Sequence, residues 1–134
     1  MQQYLGRFES LAFTIMRVVL AFLYWSHGAA WLFGWFTERP PVALNTLFGV
    51  AGIIEIVCGT LIAFGLLTSW AAFIASGEMA VAYFYAHVRR GSIFPLVNEG
   101  EITVALCFGF LYIATRGGGP FSLDAMLGSK RRGY

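Results

Sequence analysis

NTLFGVAGIIEIVCGTLIAFGLL, residues 45–67, carries one charged side chain, Glu55 near its middle, and no proline. A bilayer-spanning helix takes roughly 20 mostly apolar residues, and this stretch is long enough for one. Inside lipid a backbone has to satisfy its own hydrogen bonds, so the stretch predicts an α-helix. Gly49, Gly52, Gly59 and Gly65 punctuate it. Small residues of this kind let a second helix approach closely, and they are compatible with a homo-oligomer without identifying one.

Three further apolar runs flank it. Residues 11–36 hold Arg17 and His27 and end in Trp31, Phe33, Trp35 and Phe36, aromatics suited to a membrane interface. This run continues too far for the short apolar region of a secretory signal, so a retained span is predicted. Thr37-Glu38-Arg39-Pro40-Pro41 breaks the helix after it. Beyond residue 67, Thr68-Ser69 makes a tight uncharged connection to a third span, residues 70–88, with Glu78 and His87. A polar loop over 89–95 leads to a fourth, residues 98–115. Asn98 and Glu101 have the spacing of a helix cap with its reciprocal acid, which predicts a helix start at Asn98. Gly117-Gly118-Gly119-Pro120 ends the helix, and the remainder reads as a polar, basic tail. The expected fold is all-α, a membrane-embedded antiparallel four-helix bundle forming one domain over residues 1–134.

Composition agrees. The chain is 58% hydrophobic, 17% aromatic and 12% charged, and its mean hydropathy is +0.70. Soluble domains average about a quarter charged residues. The net charge of +2 comes from basic residues lying mainly outside the apolar runs, a pattern of membrane topology and not of nucleic-acid binding. The expected partner is the lipid bilayer. Arg7, Arg17, Arg116, Lys130, Arg131 and Arg132 fall on the side of both termini, and Arg39, Arg89 and Arg90 on the other. That bias predicts a multi-pass protein of the cell membrane with both termini cytoplasmic.

Ionisable groups inside a bilayer are costly and mark functional sites or internal pairings. Helical spacing places Arg17, Tyr24 and His27 on one stripe of the first span, Glu55 between Gly52 and Gly59 on the second, and Glu78 with Ala82 and Tyr85 on the third. An inward cluster of Arg17, Tyr24, Glu55 and Glu78 is the expected proton or ligand site. The competing reading has Arg17 snorkelling to the interface and the acids hydrogen-bonded between helices. His27, His87 and Glu101 are secondary candidates. Two histidines on different helices can ligate haem, but these differ in depth by roughly 6 Å on ideal helices, so haem is disfavoured. Glu99, Glu101, His87 and Arg90 bracket the last loop, where solvated and capping roles outweigh a weak metal site, and no metal is assigned. Cys58 and Cys107 lie within apolar runs without a CxxC pair and read as small apolar filler.

Several of these features form an ordered pattern. Arg17 in the first span is followed by Gly52-x-x-Glu55, Gly65-Leu66-Leu67-Thr68, Met79-x-x-Ala82 with His87, and Pro95-x-x-Asn98-x-Gly100-Glu101. The exit Gly117-Gly118-Gly119-Pro120-Phe121-Ser122-Leu123-Asp124 completes it. In this order the chain resembles the DoxX family of small four-span membrane proteins over nearly its whole length. It departs from that family's usual Lys after the first-span glycine, since Ala29-Ala30-Trp31 follows Gly28. The resemblance implies a membrane subunit or anchor of a redox assembly with a redox-protein partner, because the family name comes from a subunit associated with thiosulfate:quinone oxidoreductase. Quinone is the cofactor this implies, near Arg17, Glu55 and Glu78. Two alternatives stay open: a small proton-coupled carrier or scaffold for an amphipathic molecule, and a structural bundle whose polar residues hold helix register. No residue is assigned as catalytic.

Overall fold

Apolar helices with polar residues at their ends and along one stripe generate the architecture. The computed structural model describes residues 1–131, with the side chains of residues 129–131 left aside, and among these residues it is all-helical. Arg132, counted above with the terminal side, lies outside the described residues, as do the side chains of Lys130 and Arg131.

A short helix α1 (Gln2–Leu5) and a 3-10 turn lead into α2 (Glu9–Phe33). Helix α2 stops short of the predicted residue 36 because Gly34 takes a left-handed conformation (φ 67°), which turns the chain and caps the helix through its own N–H. Trp35 and Phe36 therefore follow the helix. Helix α3 (Leu47–Phe64) begins at Thr46, whose side chain accepts from the Gly49 N–H at 3.1 Å. It ends at Gly65 (φ 71°), where the Leu66 N–H closes back on the Leu61 carbonyl. Helix α4 (Thr68–Ala82) follows after only three residues and continues through a π turn, Tyr83–His87, and a 3-10 turn, Val88–Arg90.

Helix α5 (Pro95–Asn98) is a single turn, and α6 (Glu101–Arg116) starts three residues later than predicted. The Asn98–Glu101 cap is not formed: Glu99 is left-handed (φ 59°), which separates α5 from α6, and the Asn98 side chain accepts from Gly100 instead. The polar, basic tail holds a further helix, α7 (Leu123–Arg131). Ser122 caps it, accepting from the Ala125 N–H at 3.2 Å.

The long helices pack as two close pairs, α2 with α3 and α4 with α6, joined by a smaller α3–α4 contact and a narrow α2–α6 contact. The first pair is close because of glycine. A Cβ on Gly28 would lie 2.7 Å from the Gly52 carbonyl oxygen. The second pair is pinned by the Ser76 hydroxyl donating to the Cys107 carbonyl at 2.8 Å. Large apolar side chains such as Ile15, Phe22, Val57, Phe73 and Phe108 point outward, while Arg17, Glu55, Ser76, Asn98 and Thr103 are buried. That distribution is costly in water and natural in lipid. Two helical stretches, Gln2–Phe33 and Leu47–Phe64, are long and apolar enough to cross a bilayer.

The Gly28 contact gives a direct test. Gly28→Ala is expected to lower the melting temperature of the detergent-solubilised protein, an overpacking effect of about 1–3 kcal/mol. Gly77→Ala should leave it unchanged or raise it, because a Cβ there meets nothing within 4 Å and alanine favours helix. Equal losses for both variants would contradict the α2–α3 packing.

Candidate functional site

The four residues predicted to converge divide between two places. Tyr24, on α2, and Glu55, on α3, are buried and meet Glu78, on α4, in the helix interior. Arg17 does not join them. It is 2% exposed, and its Nη1 donates to the carbonyls of Ile62 and, at 2.8 Å, Ala63, while Nη2 donates to the Phe121 carbonyl at 2.8 Å. Snorkelling is corrected as well, since the guanidinium is enclosed by protein. A guanidinium has five N–H donors and no acceptor, and the C-terminal end of α3 offers carbonyls that lack intrahelical partners. The two Nη groups and those carbonyls satisfy one another, while Nε has no partner.

Asp124 completes this terminal-side knot. Its carboxylate accepts from the N–H of Leu67 at 2.8 Å and of Thr68 at 2.9 Å, and from the Thr68 hydroxyl at 2.7 Å. Asp124 thus caps α4 from the far end of the chain. Its own N–H donates to the Gly65 carbonyl at 2.8 Å. Glycine is required at position 65 by its positive φ and by space, since a Cβ would sit 2.4 Å from that of Ser122.

A second knot closes the opposite end. Asn98 is buried; its side-chain N–H2 donates to the Ser92 carbonyl at 2.9 Å and to the Tyr83 hydroxyl at 3.2 Å, and Tyr83 in turn donates to the Ile93 carbonyl. His87 Nδ1 lies 3.1 Å from the Asn98 carbonyl and Nε2 lies 3.2 Å from the Thr103 hydroxyl. A carbonyl only accepts, so Nδ1 donates to it, and Nε2 is engaged with the Thr103 hydroxyl. Both ring nitrogens are engaged, and haem ligation by His87 would break one of these bonds. Glu101 is exposed in the first turn of α6, and Glu99 pairs with Arg90 at 3.0 Å on the surface.

Between the knots lies a cavity of about 420 Å³. Glu55, Glu78, His27, Trp31, Tyr85 and Thr103 line it, with apolar side chains of α3, α4 and α6 making up most of the remaining wall. One carboxyl oxygen of Glu55, one of Glu78 and the Tyr24 hydroxyl are buried without a hydrogen-bond partner. Tyr24 and Glu78 lie within hydrogen-bonding reach of one another. The Tyr24 ring packs edge-on against Phe110 with centroids 4.9 Å apart. Buried polar groups are nearly always satisfied, so the unpartnered carboxyl oxygens of Glu55 and Glu78 on the cavity wall call for a ligand or water. Thr103 and Trp31 went unrecognised as site residues because only the fold brings them to Glu55 and Glu78. Asp124 had a readable signal in the Ser-x-x-Ala helix start beginning at Ser122.

A helical protein with an apolar exterior and a polar interior site belongs to the bilayer. The DoxX family model matches residues 12–88, which include Arg17, Tyr24, Glu55, Glu78 and His87. An uncharacterised protein of Haemophilus influenzae is 36% identical over 125 residues, covering 90% of this chain and 93% of the relative. No solved structure matches. The chain belongs to the DoxX family, and with its two apolar helices it is a membrane protein.

Asp124 sets a pH dependence outside the helix interior. Burial alone would raise its pKa, but hydrogen bonds from Thr68 and Leu67 and the charge of Arg17 outweigh that effect and hold it below the ordinary aspartate value. A depressed folded-state pKa adds stability that is complete above the unfolded value, about 3.9. That stability fades as the pH falls through this value toward the folded one. The melting temperature should therefore decline below about pH 4, and Asp124→Asn should flatten that part of the decline. An unchanged acid limb in the variant would remove Asp124 as its cause.

Proposed function

We propose that the chain crosses the bilayer four times with both termini cytoplasmic, and that it serves as the membrane subunit of a redox assembly whose cavity receives a quinone head group. The observation that carries the ligand reading is the pair of unpartnered carboxyl oxygens of Glu55 and Glu78 on the wall of an apolar cavity, with the Tyr24 hydroxyl behind Glu78. A quinone presents carbonyl acceptors on an apolar ring. A phenol and carboxylic acids in their neutral form supply the complementary O–H donors, and Trp31 and Tyr85 supply aromatic wall. The volume lies in the range of small-molecule sites. Arg17 has no part in contacting the ligand, because its Nη donors are held by backbone carbonyls.

The four-pass reading is supported by the continuous helical path from Thr68 to Arg90 and by the 16 residues of α6, each with an apolar outer face. At 1.5 Å per residue, α6 reaches about 24 Å and needs little tilt or thinning to cross. Reporter fusions test it: fluorescent-protein fusions at both ends should fluoresce, and alkaline phosphatase inserted within 37–41 or 89–95 should be active. The reverse pattern would overturn the orientation.

Lipid extraction of the purified protein should recover quinone by mass spectrometry, and added decyl-benzoquinone should quench tryptophan fluorescence less in Trp31→Phe. Tyr24→Phe and Glu78→Ala should each weaken binding about three- to tenfold, the value of one lost hydrogen bond. Folded protein that neither carries nor binds quinone removes this reading. The alternative, a proton-coupled carrier, draws on the same two carboxyls. It forecasts uptake into proteoliposomes that Glu55→Gln and Glu78→Gln abolish.

A further inference from the structure

The cavity has a closed end, two closed poles and an open side. Its polar end is deep, where Glu55 on its wall is only 3% exposed. The Arg17–Asp124 knot closes one pole of the helices and the Tyr83–His87–Asn98 knot the other. The side between α3 and α4 differs. Val50, Ile74 and Val81 line the cavity while remaining 48%, 48% and 63% exposed, so they form the rim of an opening. This rim is apolar, whereas a mouth facing water would carry polar side chains. Gly77 stands in the cavity wall next to Glu78, and an added Cβ there would meet nothing within 4 Å. Its lack of a side chain is not required by neighbouring protein, in contrast to Gly28 and Gly52. The missing side chain keeps the seam open.

We infer that the cavity is loaded sideways from the bilayer through the α3–α4 seam at Gly77, and that it takes an amphipathic molecule whose polar head lies at Glu55 and Glu78 while its apolar tail stays in lipid. This rests on the cavity being the ligand site argued above. A cavity of about 420 Å³ accommodates a small-molecule head, and an attached long chain has to leave through the apolar seam. Gly77 is then a specificity-determining residue: it sets whether a tail can pass.

Binding in lipid nanodiscs distinguishes the outcomes. The probes are decyl-benzoquinone and a tail-less dimethoxy-methyl-benzoquinone, each titrated by tryptophan quenching. Gly77→Leu should bind the decyl compound at least tenfold more weakly than the native chain and the tail-less one within twofold of it, with an unchanged melting temperature. Val81→Trp, on the same rim, repeats the test should Gly77→Leu fail to fold. A native chain that binds neither probe defeats the ligand site itself. Native binding of the decyl probe that both rim variants leave unaltered defeats lateral loading alone. An equal loss for both probes would mean that the substitution blocks the head site and not a tail path, and that result also overturns the inference.

Discussion

Arg17 brings a permanent charge into an apolar helix pair, and its chemistry constrains everything around it. A buried guanidinium is tolerated only with acceptors arranged about its plane. Here the Nη acceptors are backbone carbonyls, from the last turn of α3 and from Phe121 in the exit loop. The contact therefore ties the first helix to the end of the second and to a segment over a hundred residues away. Asp124 adds the counter-charge and caps α4 in the same stroke. The three-residue α3–α4 connection and the glycine-rich exit are consequences of this arrangement. Gly65 has to leave space for Ser122, and Gly118 must do so for Ser122 and Thr68, or the knot cannot close.

Committing the only cation within the described helix interior to carbonyls leaves Glu55 and Glu78 without an ionic partner. An Arg–Glu pair would have been a structural device, expensive to break and chemically idle. Two carboxyls and a phenol beside a cavity keep their hydrogen-bonding capacity for something else. The same segregation explains why the polar knots lie at the poles. Asn98, His87 and Tyr83 are fully used in holding the π turn against α5 and the start of α6, so they stabilise without binding.

Much of this was legible beforehand, and the limits have physical reasons. Apolar run lengths located the four long helices, and the three-and-four spacing puts Tyr24 and Glu55 on inward stripes with Glu78 on the cavity wall, because helical stripes depend on local geometry alone. The destination of Arg17 was not legible. Its acceptors are backbone carbonyls, which have no side-chain signature, and they come from segments remote in sequence. Helix α7 was missed because the tail was read by polarity, although Ser122 stands at its N-cap. The start of α6 was misplaced for a related reason: Asn98 and Glu101 have capping spacing, but Glu99 in a left-handed conformation interrupts the register. Side-chain spacing foretells a cap only where the intervening backbone stays helical.

Magnitudes bear on the choice between a ligand site and a purely structural bundle. A buried polar group left unsatisfied costs about 1–3 kcal/mol, so leaving a carboxyl oxygen of Glu55 and one of Glu78 unpartnered would forgo several kcal/mol. Domain stabilities are about 5–15 kcal/mol, which makes this a large fraction to give up without compensation. A bundle evolved only for helix register would do better with apolar residues of similar volume. It would do better still with pairing of the kind seen at Asn98, where every side-chain donor and acceptor atom finds a partner. The chain can satisfy buried polar groups, as Asn98 shows, although Nε of Arg17 at the other pole has no partner. The unpartnered carboxyl oxygens of Glu55 and Glu78 stand on the same cavity wall as Gly77 and its apolar rim. Unpartnered carboxyls beside an opening are the arrangement expected when a molecule from outside supplies the missing partners.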